Sequence, residues 1–441
     1  MKTDQARQAS TVRQAKQGAE APDLSWAEGT VWTERMISAL VNGVRGGSWF
    51  SLIDKVFAPK TLAVAWEKVR TNGGASGVDG ESVERFEARR EEYLAELSEA
   101  LRRGDYQPQA VRRVEIPKGD GRMRPLGIPT VKDRVVQTAM KLVIEPIFET
   151  KFVPTSYGFR PGRGCKDALR EVDRLLGEGF AVVVDADLKG YFDSIPHGKL
   201  MERVEAHISD GRLLALLRRY LEQDIFDGLQ SWTPTEGTPQ GAVMSPLLAN
   251  LYLHALDELM RDRGHRMVRY ADDFVVLCRS REEAEAALAE VREWVQANGL
   301  TLHPEKTHIG DWRQPGEGFE FLGYRFEAGR RWVRKKSLAN LRQKVRDKTR
   351  RNRGDSLERI IADLNPMLRG WFQYFKHAYR TTFTDIDGFV RRRLRALLRK
   401  QEKRPAFGRS LEDSKRWPNA FFANKGLFTL HTAYCEARGS R

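Results

Sequence analysis

The sequence predicts a mixed α/β (α+β) chain, with strands paired as antiparallel hairpins through its middle and amphipathic helices at its end. Three observations carry this. Phe180–Val184 is a continuous apolar run of the buried-strand type, leading into Asp185-Ala186-Asp187. Two short β-branched runs, Met267–Tyr270 and Phe274–Leu277, flank Ala271-Asp272-Asp273, the pattern of a hairpin with both acids at its tip. Beyond residue 330, apolar residues recur at helical spacing: Leu338, Leu341 and Val345, then Leu357 to Phe375, then Ile386 to Leu398.

Composition limits what such a chain does. At 441 residues it exceeds one ordinary core, and its 41% hydrophobic content suffices for two to four packed domains. Lys and Arg total 75 against 60 Asp and Glu, a net +15, which calls for a polyanionic partner. The three cysteines, Cys165, Cys278 and Cys435, are too far apart in sequence for a disulfide framework or a multi-cysteine zinc site. No stretch of eighteen apolar residues is present to form a membrane span, and no apolar leader opens the sequence. A reduced, cytoplasmic location follows as the expectation.

Adjacent carboxylates repel, so Asp272 and Asp273 in a partly buried turn need a counter-ion, and divalent cations would supply it. Asp185 and Asp187 share one strand face, and spacing alone does not choose between them. The motif does. Asp187-Leu188-Lys189-Gly190-Tyr191-Phe192-Asp193, followed downstream by Tyr270-Ala271-Asp272-Asp273, resembles the palm of reverse transcriptases of the group II intron type. The resemblance implies a right-hand polymerase with fingers, an antiparallel-sheet palm and a helical thumb that is also the maturase domain. It makes Asp187, Asp272 and Asp273 the catalytic metal ligands, with the Leu188 carbonyl beside them. Two Mg²⁺ ions are expected, with Mn²⁺ as substitute. Asp185 and Asp193 are left to strand-end and turn hydrogen bonds.

In chain order, residues 1–30 read as a disordered polar tail. Residues 31–105 are mostly helical, broken by the glycine-rich loop Thr71–Gly80, and resemble the N-terminal extension and the start of the fingers. The fingers, 106–179, open with a hairpin, Arg112–Lys118 and Arg122–Ile128, across Gly119-Asp120-Gly121. Lys118 and Arg124 face each other across that turn, and the resemblance gives them the triphosphate, as point charge and bidentate clamp. The helix from Val131 should stop near Glu145-Pro146. Arg112, Arg160 and Arg163, the last two within Ser156–Gly164, are candidates for RNA or DNA contact.

The palm, 180–328, carries further implied roles. Phe192 lies under the sugar and selects deoxynucleotides, Gln240 contacts the nucleotide sugar, and Lys306 donates a proton to pyrophosphate. Ser245 should cap the helix that Pro246 opens, and Phe319–Phe326 should form one strand gripping the primer end. His197 reads as a helix-start residue. In the thumb, 329–441, twelve basic residues between Arg330 and Arg353 face Asp347 alone, and Arg342, Arg346, Arg350 and Arg351 are the candidate phosphate contacts on an exposed helix face. Asn365–Trp371 and Trp417–Phe422 resemble maturase motifs.

The expected function is RNA-directed DNA synthesis from dNTPs, with intron RNA, RNA template and DNA primer or target as partners, and assistance to splicing and mobility. No cysteine-bearing endonuclease is expected after the thumb. Two alternatives stay open: a related enzyme recruited to repair or defence, and an RNA-binding splicing factor without polymerase activity.

Overall fold

The computed structural model describes residues 24–44, 46–117, 123–352, 354–403 and 410–439. Its strands are β1 (Val111–Pro117), β2 (Met123–Ile128), β3 (Val182–Asp187), β4 (Ile225–Phe226), β5 (Ser231–Trp232), β6 (Arg266–Tyr270), β7 (Asp273–Cys278), β8 (His308–Asp311), β9 (Phe319–Phe321), β10 (Tyr324–Glu327) and β11 (Arg330–Val333). The chain divides into two compact units. One takes the residues up to Arg170 with Leu188–Asp272 and Glu290–Leu302; the other takes Glu171–Asp187, Asp273–Ala289 and His303 onward. Most of the expected disordered tail lies outside the described residues, as do Lys118 and Arg122.

In the first unit, β1 pairs antiparallel with β2, from Arg112 opposite Ile128 to Pro117 opposite Met123, and parallel with β4, which pairs with β5. The helix Val131–Glu149 packs against the helix Pro59–Asn72, with Val135, Val136, Ala139, Met140, Val143 and Phe148 out of water. Thr130 caps it by accepting from the Asp133 N–H. Asp133 is itself buried and accepts from Thr130 Oγ1 at 2.7 Å and Tyr106 Oη at 2.8 Å. Burial pushes its carboxyl pKa up, and these bonds hold it back.

This helix does not stop at Pro146, as the sequence suggested; it runs to Glu149 with Pro146 inside. A proline removes the bond to the carbonyl four residues earlier. That carbonyl, Leu142 O, instead accepts from Trp32 Nε1 at 2.9 Å, so a tryptophan from the N-terminal segment supplies the missing donor.

In the second unit β3 lies between β7 and β8, antiparallel to both, with Val182, Val183 and Val184 buried. The expected single strand Phe319–Phe326 is a hairpin. Leu322 and Gly323 take φ of 47° and 83°, the conformation of a two-residue hairpin turn, and fold β10 back on β9. Phe319 then stacks on Phe326, ring centroids 4.7 Å apart. Ala328-Gly329 repeats the device into β11. The helices Lys335–Lys348, Leu357–Phe375 and Thr381–Gln401 follow, with three shorter ones after them. Leu341, Val345, Ile360, Leu364, Leu368, Phe372, Ile386, Val390 and Leu394 are buried, which is the stripe read from sequence. Ser356 caps the second helix, accepting from the Arg359 N–H. Arg350 and Arg351 lie beyond the first helix, which ends at Lys348 because Thr349 closes it and turns its hydroxyl onto Val345 O.

Candidate active site

Strand β3 ends at Asp187 and strand β7 begins at Asp273, and the antiparallel register sets these two aspartates directly opposite each other. Directly opposed carboxylates, with Cβ atoms about 5 Å apart in such pairs, repel, so this strand end needs a cation. Lys306 supplies one: its Nζ lies 2.7 Å from Asp187 Oδ2, and both side chains are about half exposed. The Asp187 carbonyl accepts from the His303 N–H at 2.7 Å, which fixes the segment carrying Lys306 against the end of β3. Asp272 directly precedes Asp273, after Ala271 in the left-handed region at φ 59°. The two acids therefore do not share a turn tip: Asp272 is in the link and Asp273 is already in the strand.

Asp185 has other work. It accepts from the Glu320 N–H at 3.1 Å, tying β3 to β9, and burial pushes its carboxyl up to about 6 against the pull of that bond.

The residues suit Mg²⁺. Among the described residues, no group of three or more His, Cys, Asp or Glu side chains forms a closed metal cage. Mg²⁺ does not require one, since it typically takes one or two carboxylates and fills its shell with water and phosphate oxygens. The pair Asp187 and Asp273 offers oxygen donors alone, which matches that demand. Leu188 follows β3 as a buried residue bridged to Leu302.

In the first unit a second group of candidates converges through backbone bonds. Phe192 sits in the 3₁₀ turn Tyr191–Asp193, and its carbonyl accepts from the Thr238 N–H at 2.6 Å. The Gln240 carbonyl accepts from the Gly127 N–H at 2.6 Å. Gly241, at φ 107°, has no room for a side chain, because a Cβ would strike Gly127 O. The loop carrying Gln240 is thus stitched to the Phe192 turn on one side and to β2 on the other. A cavity of about 320 Å³ lies against it, bordered by Arg113, Gly127, Asp193, Trp232, Thr238 and Gln240. Ser245 is the first helical residue rather than the cap, and its hydroxyl donates to Pro239 O at 2.9 Å, another tie to this loop. His197 starts its helix and places Nε2 2.7 Å from Gly237 O.

The basic candidates separate by environment. Arg124 is exposed on β2 opposite Ile116. Arg160, a nucleic-acid candidate by sequence, is buried, with Nε and Nη2 on Glu149 and Nη1 on Val153 O and Ser156 O. Arg112 gives Nη2 to Ser76 O at 2.5 Å, and Arg134, which sequence reasoning missed, gives Nη1 to Gly73 O and Nη2 to Ala75 O. These two arginines pin the glycine-rich loop. Arg163 is exposed and bonds Pro154 O at 2.6 Å. In the second unit Arg342 is half-buried and Arg346, Arg350 and Arg351 are exposed. Arg346 lies over the Phe389 ring, and Arg350 pairs with Asp347 at 2.8 Å.

Residues 116–326 match the family described as reverse transcriptase (RNA-dependent DNA polymerase), and residues 338–417 match the group II intron maturase-specific domain. Protein YkfC of Escherichia coli is 34% identical over 315 residues, covering 62% of this chain and 82% of that protein. The group II intron-encoded protein LtrA of Lactococcus lactis is 37% identical over 219 residues, 47% of this chain and 36% of LtrA. The chain thus aligns with about a third of LtrA. A telomerase structure from Candida albicans, with a fragment of telomeric RNA, aligns over 80% of this chain and 68% of its own at 11% identity and a TM-score of 0.42. With a reverse transcriptase segment followed by a maturase segment, the chain belongs to the group II intron-encoded reverse transcriptase/maturase family, RNA-directed DNA polymerases of the right-hand fold.

Proposed function

We propose that this chain extends a DNA primer along an RNA template with dNTPs and that its thumb helps a cognate intron RNA fold for splicing. The observation that carries the first part is Asp187 standing opposite Asp273, with Asp272 one residue earlier. Asp187, Asp272 and Asp273 would hold Mg²⁺, with Leu188 adjoining, and the metal would supply activation of the primer 3′-hydroxyl and charge neutralisation at the triphosphate. Lys306, paired with Asp187, would protonate departing pyrophosphate. Lys118 and Arg124 grip the triphosphate, and Gln240 orients the sugar. The layout 106–179 for fingers, 180–328 for palm and 329–441 for thumb rests on these roles. No helix among the described residues is long and apolar enough to cross a membrane, and the proposed setting is the bacterial cytoplasm, at the nucleoid when DNA is the target. Primer-dependent incorporation of dTTP on poly(rA)/oligo(dT) with Mg²⁺ tests the reading; a folded protein that incorporates none would leave only RNA binding.

Two further outcomes follow. Phe192 is tied through its carbonyl to the Gln240 loop, which supports a ring position beneath the nucleotide sugar. Phe192→Val should raise ribonucleotide incorporation relative to deoxynucleotide by about 100-fold, or about 2.7 kcal/mol of discrimination. Competing rNTP and dNTP incorporation measures it, and unchanged discrimination would take Phe192 out of the sugar site. Neutralising Arg346, Arg350 and Arg351 together should weaken RNA binding and flatten the salt dependence by about 0.7 to 0.9 for each phosphate that is no longer neutralised. An RNA titration across salt concentrations reads this directly, and an unchanged slope would make these arginines a solvated face.

A further inference from the structure

Strand β6 approaches Asp272 through Met267, Val268 and Arg269, all buried, and one of the three is charged. Arg269 is wholly out of water. Its Nε donates to Asp257 Oδ1 at 2.7 Å and its Nη2 to Asp257 Oδ2. Its Nη1 is shared by Asn250 Oδ1 and the Ala271 carbonyl, each at 2.9 Å. Asn250 and Asp257 are also buried, on the helix Ser245–Asp262. Burial works against the charge, yet Asp257, Tyr191 and Asp272 hold the Arg269 pKa above the ordinary arginine value.

The object gripped is what gives the arrangement a purpose. The Ala271 carbonyl belongs to the peptide unit that joins Ala271 to Asp272. Ala271 is a non-glycine residue at φ 59°, a conformation that persists only where the surroundings enforce it. Asn250, besides accepting from Arg269, donates Nδ2 to Gly158 O at 2.6 Å. Gly158 lies so close to the turn that a Cβ there would collide with Ala271 N. Arg269 therefore holds the turn by its carbonyl while Gly158 closes on its amide. A pair needed for packing alone would end at Asp257, and an apolar pair of the same volume would serve as well or better. The third donor, aimed at the turn, is what such a replacement loses.

We propose that Arg269, anchored by Asp257 and Asn250, is a positioning residue that sets the carboxylate of Asp272 for divalent-cation binding. The inference rests on Asp272 being a metal-holding group, and its test separates the two. Groups that orient a ligand from behind typically change metal affinity by about 10- to 100-fold when lost. The double variant Arg269→Met/Asp257→Leu removes both charges and strands neither; Arg269→Lys keeps the charge but loses the fork and serves if the double variant does not fold. Mn²⁺ binding by electron paramagnetic resonance is measured on the wild type, these variants and Asp272→Asn, alongside kcat and KM for dTTP in primer extension. The expected result is a fall in Mn²⁺ affinity of about 10-fold or more and a matching fall in kcat, with KM for dTTP within about twofold. A folded variant with wild-type Mn²⁺ affinity would overturn the inference and reduce Arg269 to a core ion pair. Unchanged Mn²⁺ affinity in Asp272→Asn would instead overturn the assignment of Asp272 on which it rests.

Discussion

Asp187→Asn should lower primer extension by about 1,000-fold or more, some 4 kcal/mol of barrier, while Asp185→Asn costs less than about tenfold. The two residues are neighbours on the same face of β3, so sequence periodicity treats them alike. The structure separates them. Asp185 is turned into bonding with the Glu320 N–H, and its carboxyl is pushed up to about 6 by burial, so a neutral amide that still offers an oxygen is a mild replacement. Asp187 stands at the strand end, half exposed, opposite Asp273 and paired with Lys306. An amide there removes the charge that pairs with Lys306 and that a bound cation would use. The comparison is steady-state incorporation by the two variants, with circular dichroism to confirm folding. Equal losses would mean that the wrong carboxylate has been assigned.

Arg160→Ala should act on stability and leave RNA affinity alone. The guanidinium is buried, and its removal strands Glu149 and the carbonyls of Val153 and Ser156. Breaking a buried pair from one side costs about 3–5 kcal/mol, because the remaining charge stays unpaired. Denaturant unfolding should therefore move to markedly lower concentration, and the salt dependence of RNA binding should keep its slope. A stable variant with a flatter slope would restore Arg160 to the nucleic-acid surface.

These contrasts mark what the sequence reveals and where it stops. The acids announced themselves because apolar β-branched runs flank them and strand alternation is a strong local signal. The C-terminal helices are legible for the same reason, through long stripes at helical spacing. Arginines were the hardest residues to place. Arg346 on an exposed face, Arg160 in a buried fork and Arg269 behind the turn are the same letter, and their roles are set by partners 11 and 12 residues away or on other elements. Arg350 and Arg351 looked helical by position, but Thr349 ends the helix before them. Pro146 failed as a stop signal because Trp32, more than a hundred residues earlier, satisfies the carbonyl it frees. The hairpin Phe319–Glu327 hid because Leu322, an ordinary strand residue, adopts a left-handed conformation beside Gly323.

On the reading proposed above, one chain holds a metal-dependent polymerase site whose acids are separable from its RNA-binding surface. The decisive measurement takes the double variant Asp272→Asn/Asp273→Asn and follows cDNA synthesis and the binding of a cognate intron RNA in the same preparation. Synthesis of cDNA should disappear while RNA affinity and its salt dependence stay within about twofold of wild type. A folded double variant that still copies RNA, or one that loses RNA binding together with synthesis, would contradict that separation.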